Sequence, residues 1–290
     1  MKVSVFLFLS FLVTTIAAQT VVGNRLQEVL CSFDEYIDVI KLTRGIDSLT
    51  SEQQKDISNE YQKQKDYAML LIAKANKLGV TVTNQEMRMV LEDGTAPILK
   101  QSPFINNNTG KFDMKMVNKF LEDYNKKKDT SEGQSYRRIY NYWSYIGKSV
   151  RQMKLKEKVI DRNKKNGEQF LINNINKPNI IKLPSGVQYK IIKKGNGEIP
   201  QENSVVKLNY EEKTLDGDVI SSTYSSGGPL EVQTLYQYQG RKETITHMPV
   251  GSTWEVYIPQ QLAYGAKGLW PYSLIVMKIE LISIIDNDFN

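Results

Sequence analysis

The chain has 290 residues, of which 40% are hydrophobic and 24% charged. That is enough to bury the cores of two domains, and it excludes a disordered or fibrous chain. Lys and Arg outnumber Asp and Glu by 38 to 32, an excess too small and too dispersed for nucleic-acid binding, although it biases weak contacts towards acidic partners or a membrane surface.

Residues 1–18 have the form of a secretory signal. Lys2 is the charged start, Val3 to Val13 is mostly apolar, and Thr14 to Ala18 supplies mainly small residues before a cut near Ala18–Gln19. The apolar run is short for a membrane span and has no cationic stop-transfer flank; an uncleaved anchor is the weaker alternative. The expectation is an extracytoplasmic protein of a bacterial periplasm, touching a membrane only peripherally if at all. Cys31 is the single cysteine, so no intramolecular disulfide forms. It lies well past the apolar stretch and follows Leu30, which argues against lipidation. A small buried hydrophobe is its expected role.

Helical periodicity follows over 19–165. Leu26, Val29, Leu30, Phe33, Ile37 and Ile40 predict one helix over 26–43, ended by Gly45. Ser48 or Thr50 caps a second helix over 51–78, with Gly79 behind it. Thr83 with Glu86 three residues on caps a third. Pro97 and Pro103 bound a short segment, INNNTGKFD is a polar turn, and a fourth helix covers 114–124. The run Lys126-Lys127-Lys128 reads as a solvated loop. A last long helix covers about 131–162, with Tyr136, Tyr140, Trp143, Ile146, Val150 and Val159 among lysines and arginines. LGVTVTNQEM, TGKFD, the Val-x-x-Phe-Leu stretch and the Tyr/Trp-rich helix start resemble the helical chaperone domain of SurA-like and PpiD-like periplasmic foldases. The resemblance implies an apolar groove that holds unfolded chains. A plain helical bundle carries the same stripes because it has a core.

Residues 166–182 are the expected link; KKNGEQFLINN either extends the helix or forms a separate one, and Pro178 disfavours helix at Lys177. Beyond it, 183–290 changes period. LPSGVQYK opens the segment and VVKLNY alternates before an Asp216-Gly217 turn. MPVGSTWEVYIP then alternates Trp254, Val256 and Ile258 with polar neighbours until Pro259 stops the run. LAYG sets Tyr264 on a turn, and SLIVMKIELISI closes the region. In order and spacing these motifs resemble the FKBP-type peptidyl-prolyl isomerase domain, Mip-like members included. The chain is therefore expected to be α+β: an N-terminal all-α domain, then an antiparallel sheet wrapped on a short helix. His247 falls at that short helix and is expected on its surface. With one histidine and no Gly-rich phosphate loop, no metal and no cofactor is expected.

Carried over residue by residue, the resemblance implies Tyr264 and Tyr210 as the catalytic pair, with Tyr264 donating to a substrate carbonyl. Ile220 and Ser221 stand where the family has Phe-Asp, so Ser221 removes a carboxylate. Gln237-Tyr238 replaces Val-Ile, although Tyr238 keeps the backbone N–H that the family uses. Gly240 is kept, Arg241 replaces the floor tryptophan, Met277 the closing-strand phenylalanine and Leu230 the loop phenylalanine. Trp270 lies in a shortened loop; it or Trp254 is the alternative platform. A guanidinium at the floor is costly unless paired or turned outward.

Prolyl isomerisation needs no nucleophile and no proton transfer. Its obstacle is amide resonance, a barrier of about 18–20 kcal/mol. An apolar pocket that desolvates the prolyl ring favours the twisted amide over the planar one, and one or two donors hold a neighbouring carbonyl. The expected function is an exported prolyl isomerase and chaperone whose partners are unfolded or proline-containing polypeptides. The alternatives are an FKBP-fold binding protein with little or no turnover and, last, a structural envelope protein. A homodimer stays open.

Overall fold

A computed structural model describes residues 25–267 and 270–285; the expected signal at 1–18 lies outside them. The chain divides into two compact units that part between Val159 and Ile160. Among the described residues no helix is long and apolar enough to cross a membrane.

The first unit is helical. It holds α1 (Phe33–Arg44), α2 (Ser51–Lys77), α3 (Asn84–Asp93), α4 (Met114–Lys127) and the first part of α5 (Gly133–Asn174). The single helix expected over 26–43 is interrupted. Ser32 sits at φ −65°, ψ 163°, its hydroxyl accepts from the Glu35 N–H, and the Glu35 carboxylate accepts from the Ser32 N–H. This reciprocal cap satisfies two otherwise orphaned donors and starts α1 afresh. Thr50 with Gln53 and Thr83 with Glu86 make the same arrangement on α2 and α3. Leu71, Ile72, Leu99, Ile146, Val150 and Leu155 are buried at the centre, and Cys31 is buried with Tyr36 and Ile57. INNNTGKFD folds into a hairpin of two-residue strands, β1 (Ile105–Asn106) and β2 (Lys111–Phe112). The lysine run is not a loop: α4 takes in Lys126 and Lys127 and is capped at Lys128, and Lys127 pairs with Glu132 at 2.7 Å.

The second unit is an antiparallel sheet. Its strands are β3 (Ile180–Lys182), β4 (Gln188–Lys193), β5 (Val205–Thr214), β6 (Val219–Ser222), β7 (Leu230–Gln233), β8 (Thr253–Ile258) and β9 (Ile275–Ile285). The order is β3-β4-β8-β9-β5-β6, with β7 pairing the other half of β5. Within 166–182, the helical option holds: residues 166–174 continue α5, and Ile180–Lys182 form the edge strand. The end of α5 is tied to the sheet by Phe170 against Tyr257 at 5.1 Å and by the Asn174 amide donating to the Gln188 side chain at 3.0 Å.

Alternation along the strands separates two faces. On one, Lys190, Glu255, Lys278 and Glu211 stand side by side across β4, β8, β9 and β5. Opposite charges directly across a ladder contribute about 0.2–1 kcal/mol a pair. The other face is the core: Val206, Leu208, Trp254, Val256, Ile258, Met277 and Ile279. The short helix α6 (Gln239–Ile245) covers it. Trp254 stacks on Tyr189 at 4.1 Å and 5°, which makes it a core residue. His247 follows α6, exposed, with Nδ1 2.8 Å from the Glu243 carbonyl.

The approach of α6 to β8 depends on Gly240. A Cβ there would lie 2.2 Å from Ile258 Cγ2 and 3.1 Å from the Leu262 carbonyl oxygen. Alanine favours an open helix by about 1 kcal/mol over glycine, but forcing a group into a filled core costs about 1–3 kcal/mol. Gly240→Ala is therefore expected to lower stability by about 1–2 kcal/mol, read as a lower urea midpoint for the sheet unit.

Candidate functional site

The site begins with the two-residue period of β5. Val206, Leu208, Tyr210, Glu212 and Thr214 all turn to the buried face. Glu212 is thus placed in the core, fully buried. Its direct neighbours across the sheet are Ser221 on β6 and Met277 on β9. Tyr238 caps the start of α6, so Arg241 arrives one turn later on the helix side facing the sheet. After Pro259 the chain turns through Tyr264 and Gly265, the latter at φ 54°, a conformation glycine adopts without a Cβ penalty.

These elements converge on one carboxylate. Glu212 Oε1 accepts from the Tyr238 hydroxyl and, at 2.5 Å, from Arg241 Nη2. Oε2 accepts from the Tyr264 hydroxyl at 2.7 Å. Arg241 Nη1 donates to Gln237 Oε1 at 3.0 Å, and the guanidinium carbon lies 4.1 Å from the Tyr210 ring centre and 5.1 Å from that of Tyr238. The Tyr238 and Tyr264 rings meet at 5.3 Å, tilted by 50°. Tyr210 Oη and Ser221 Oγ are 3.0 Å apart.

The chemistry is consistent throughout. A lone buried carboxylate or guanidinium costs many kcal/mol, so each needs the other and further polar partners. Burial raises the pKa of both Tyr238 and Tyr264 above the ordinary tyrosine value, and the negative charge of Glu212 adds to it. For Arg241 burial opposes the charge, but attraction to Glu212, then Tyr238 and Tyr210, outweighs it and raises the pKa. Both phenols stay protonated and act as donors. The rings of Tyr210, Tyr238 and Tyr264 stand around the pair.

Five of the sequence-assigned residues, Tyr210, Ser221, Tyr238, Arg241 and Tyr264, come together here. Met277 is buried opposite Glu212, and Ile220 is half-buried against the same core. Leu230 does not join them: it starts β7 opposite Leu208 and is 47% exposed. Trp270 is half-buried beyond the Tyr264 turn. Arg241 takes the paired option rather than the outward one. Glu212 was missed, yet a signal was present. It lies two residues after Tyr210 in an alternating strand, which puts a carboxylate on the apolar face. Among the described residues no group of three or more His, Cys, Asp or Glu is placed to hold a metal.

Comparison with known proteins gives the family of both regions. Residues 196–282 match the family described as FKBP-type peptidyl-prolyl cis-trans isomerase. Residues 78–191 match the domain amino terminal to FKBP-type peptidyl-prolyl isomerase, which links the helical region to the same family. Outer membrane protein MIP of Legionella longbeachae is 40% identical over 131 residues, 44% of this chain and 56% of that protein. Peptidyl-prolyl cis-trans isomerase Mip of Coxiella burnetii (strain RSA 493 / Nine Mile phase I) is 36% identical over 126 residues, 42% of this chain and 55% of that protein. Macrophage infectivity potentiator of Trypanosoma cruzi is 31% identical over 135 residues, 45% of this chain and 69% of that protein. The chain thus spans little more than half the length of the first two.

Two outcomes test the buried pair. Arg241→Met strands a carboxylate and is expected to cost about 3–5 kcal/mol in urea unfolding, whereas Arg241→Met with Glu212→Leu recovers most of it, because an apolar pair replaces a buried ion pair at little cost. The raised phenol pKa values act at high pH. Stability from keeping Tyr238 and Tyr264 protonated is complete below about pH 10, the unfolded tyrosine value, and is lost as pH rises above it. Thermal unfolding followed from pH 8 to 11 is expected to show a flat stretch and then a fall.

Proposed function

This chain belongs to the FKBP-type peptidyl-prolyl cis-trans isomerase family, and from that premise we propose that it isomerises prolyl bonds in unfolded or exported polypeptides and holds such chains while doing so. The observation that carries the reading is the set of tyrosines at 210, 238 and 264, which walls one side of the sheet with aromatic rings and brings the hydroxyls of Tyr238 and Tyr264 to one point. A prolyl amide set against such a wall is desolvated, which favours the twisted form that has lost its resonance. Tyr264 is the assigned donor to the client's carbonyl, with Tyr210, Ile220, Ser221, Tyr238, Arg241 and Met277 around it.

Holding is assigned to the helical domain, 19–165. A cavity of about 470 Å³ there is lined by Met87, Leu91, Leu121, Tyr140 and Trp143 together with the charged Glu28, Lys148 and Arg151. The apolar part of its lining suits side chains that a folded client would bury. Residues 1–18 are assigned to export, which puts the protein outside the cytoplasm, in a periplasm if the cell is bacterial. The second reading, a holder with little turnover, is favoured by one observation. Arg241 and Glu212 stand as a closed ion pair where a bare apolar floor suits a proline ring best.

The full chain is expected to accelerate cis–trans exchange in a protease-coupled Xaa-Pro peptide assay. Tyr264→Phe is expected to lower kcat/KM about tenfold, the worth of one hydrogen bond near 1.4 kcal/mol. A chain that accelerates nothing but still suppresses aggregation of an unfolded client points to the second reading.

A further inference from the structure

We propose that Glu212 is the positioning residue of this site, supplying from β5 the carboxylate that Ser221 lacks on β6 and fixing the Tyr264 hydroxyl where a client carbonyl meets it. The inference rests on the isomerase reading above.

Register is the first argument. Glu212 and Ser221 are direct neighbours across the β5–β6 ladder, and both turn to the same face. The Ser221 hydroxyl is engaged with Tyr210 at 3.0 Å. A serine cannot supply a charge, but the longer glutamate on the neighbouring strand brings one into the space between Tyr238, Arg241 and Tyr264.

The two carboxylate oxygens are used differently. Oε1 takes Arg241 and Tyr238, which settles the charge. Oε2 takes Tyr264. A phenol has one proton, and a bond at 2.7 Å to a carboxylate fixes where its oxygen sits. When a client's carbonyl arrives, rotation about the Cζ–Oη bond exchanges the hydrogen bond to Glu212 Oε2 for one to that carbonyl, while the ring stays where its contact with Tyr238 holds it. No covalent bond is made or broken and no proton leaves the phenol.

Stability does not account for the arrangement. Replacing a buried ion pair by apolar side chains of similar volume is often neutral or stabilising. A fully buried carboxylate with a phenol on each oxygen is therefore more than a packing device. Glu212 contacts no client in this scheme; it acts through Tyr264, which is why a stability measurement alone does not test it.

The test is a double-mutant cycle in the full chain, with kcat and KM on a proline peptide and a thermal midpoint for each protein. Glu212→Gln keeps the shape of the side chain but leaves the buried Arg241 without its carboxylate, so the midpoint is expected to fall; assayed well below that midpoint, kcat is expected to fall about tenfold while KM changes little. Tyr264→Phe is expected to lose as much. The pair together should lose no more than either alone, because there is no hydroxyl left to position. A further readout is independent of turnover: in alkaline absorbance titration, Glu212→Gln should bring two phenols down towards the ordinary tyrosine value. Losses that multiply, or Glu212→Gln with full kcat, overturn the positioning role while leaving the isomerase reading intact. A Glu212→Leu, Arg241→Leu protein as active as the parent overturns it too. No turnover in the parent chain overturns the isomerase reading, and the role falls with it. An unmoved phenol titration overturns the contact itself.

Discussion

The sheet unit depends on one fully buried carboxylate. Glu212 cannot stay charged in an apolar core without a cation, and it has one in Arg241. Arg241 in turn cannot enter that core without a surface that tolerates it, and the Tyr210 and Tyr238 rings provide one through their electron-rich faces. Tyr238 and Tyr264 complete the set by filling the remaining acceptor positions. Removing Arg241, Tyr238 or Tyr264 takes a donor from Glu212, and removing Tyr210 takes a ring from the guanidinium, so the five residues form a single structural choice.

That choice explains two departures from the family pattern that look unfavourable one at a time. A guanidinium in place of a flat apolar floor and a hydroxyl in place of a carboxylate each seem to damage the pocket. In the role proposed for it, Glu212 stands in for the missing carboxylate, with Arg241 as its counter-charge. The negative charge has moved one strand inward, and a positive charge has come to meet it. Tyr264 keeps an acidic neighbour, although that neighbour comes from β5.

Much of this architecture was legible in the residues. Gly45, the Thr50–Gln53 and Thr83–Glu86 pairs and the stop at Pro259 are local devices, and local chemistry reads directly from spacing. The break before α1 was not seen because Ser32 lies inside an unbroken apolar period; only its bond to Glu35 decides against the helix. The position of Leu230 is not read from spacing for a different reason. Pairing puts it on the face of Leu208, but it starts a four-residue strand at the sheet margin, where half of the side chain stays exposed. Glu212 was overlooked because charged residues in a strand are ordinarily on the wet face. The alternation that reveals it depends on reading Tyr210 and Glu212 as one face, against the expectation for a glutamate.

The edges of the sheet carry a last consequence. β3 is three residues long and ends on Lys182, while the opposite side is closed by β6 and β7 at four residues each. Few backbone amides are therefore left bare along either margin. A protein that keeps company with extended, sticky chains runs the risk of zipping onto them, strand to strand, and seeding fibres. Clipped borders of this kind offer such a chain little open backbone to pair with.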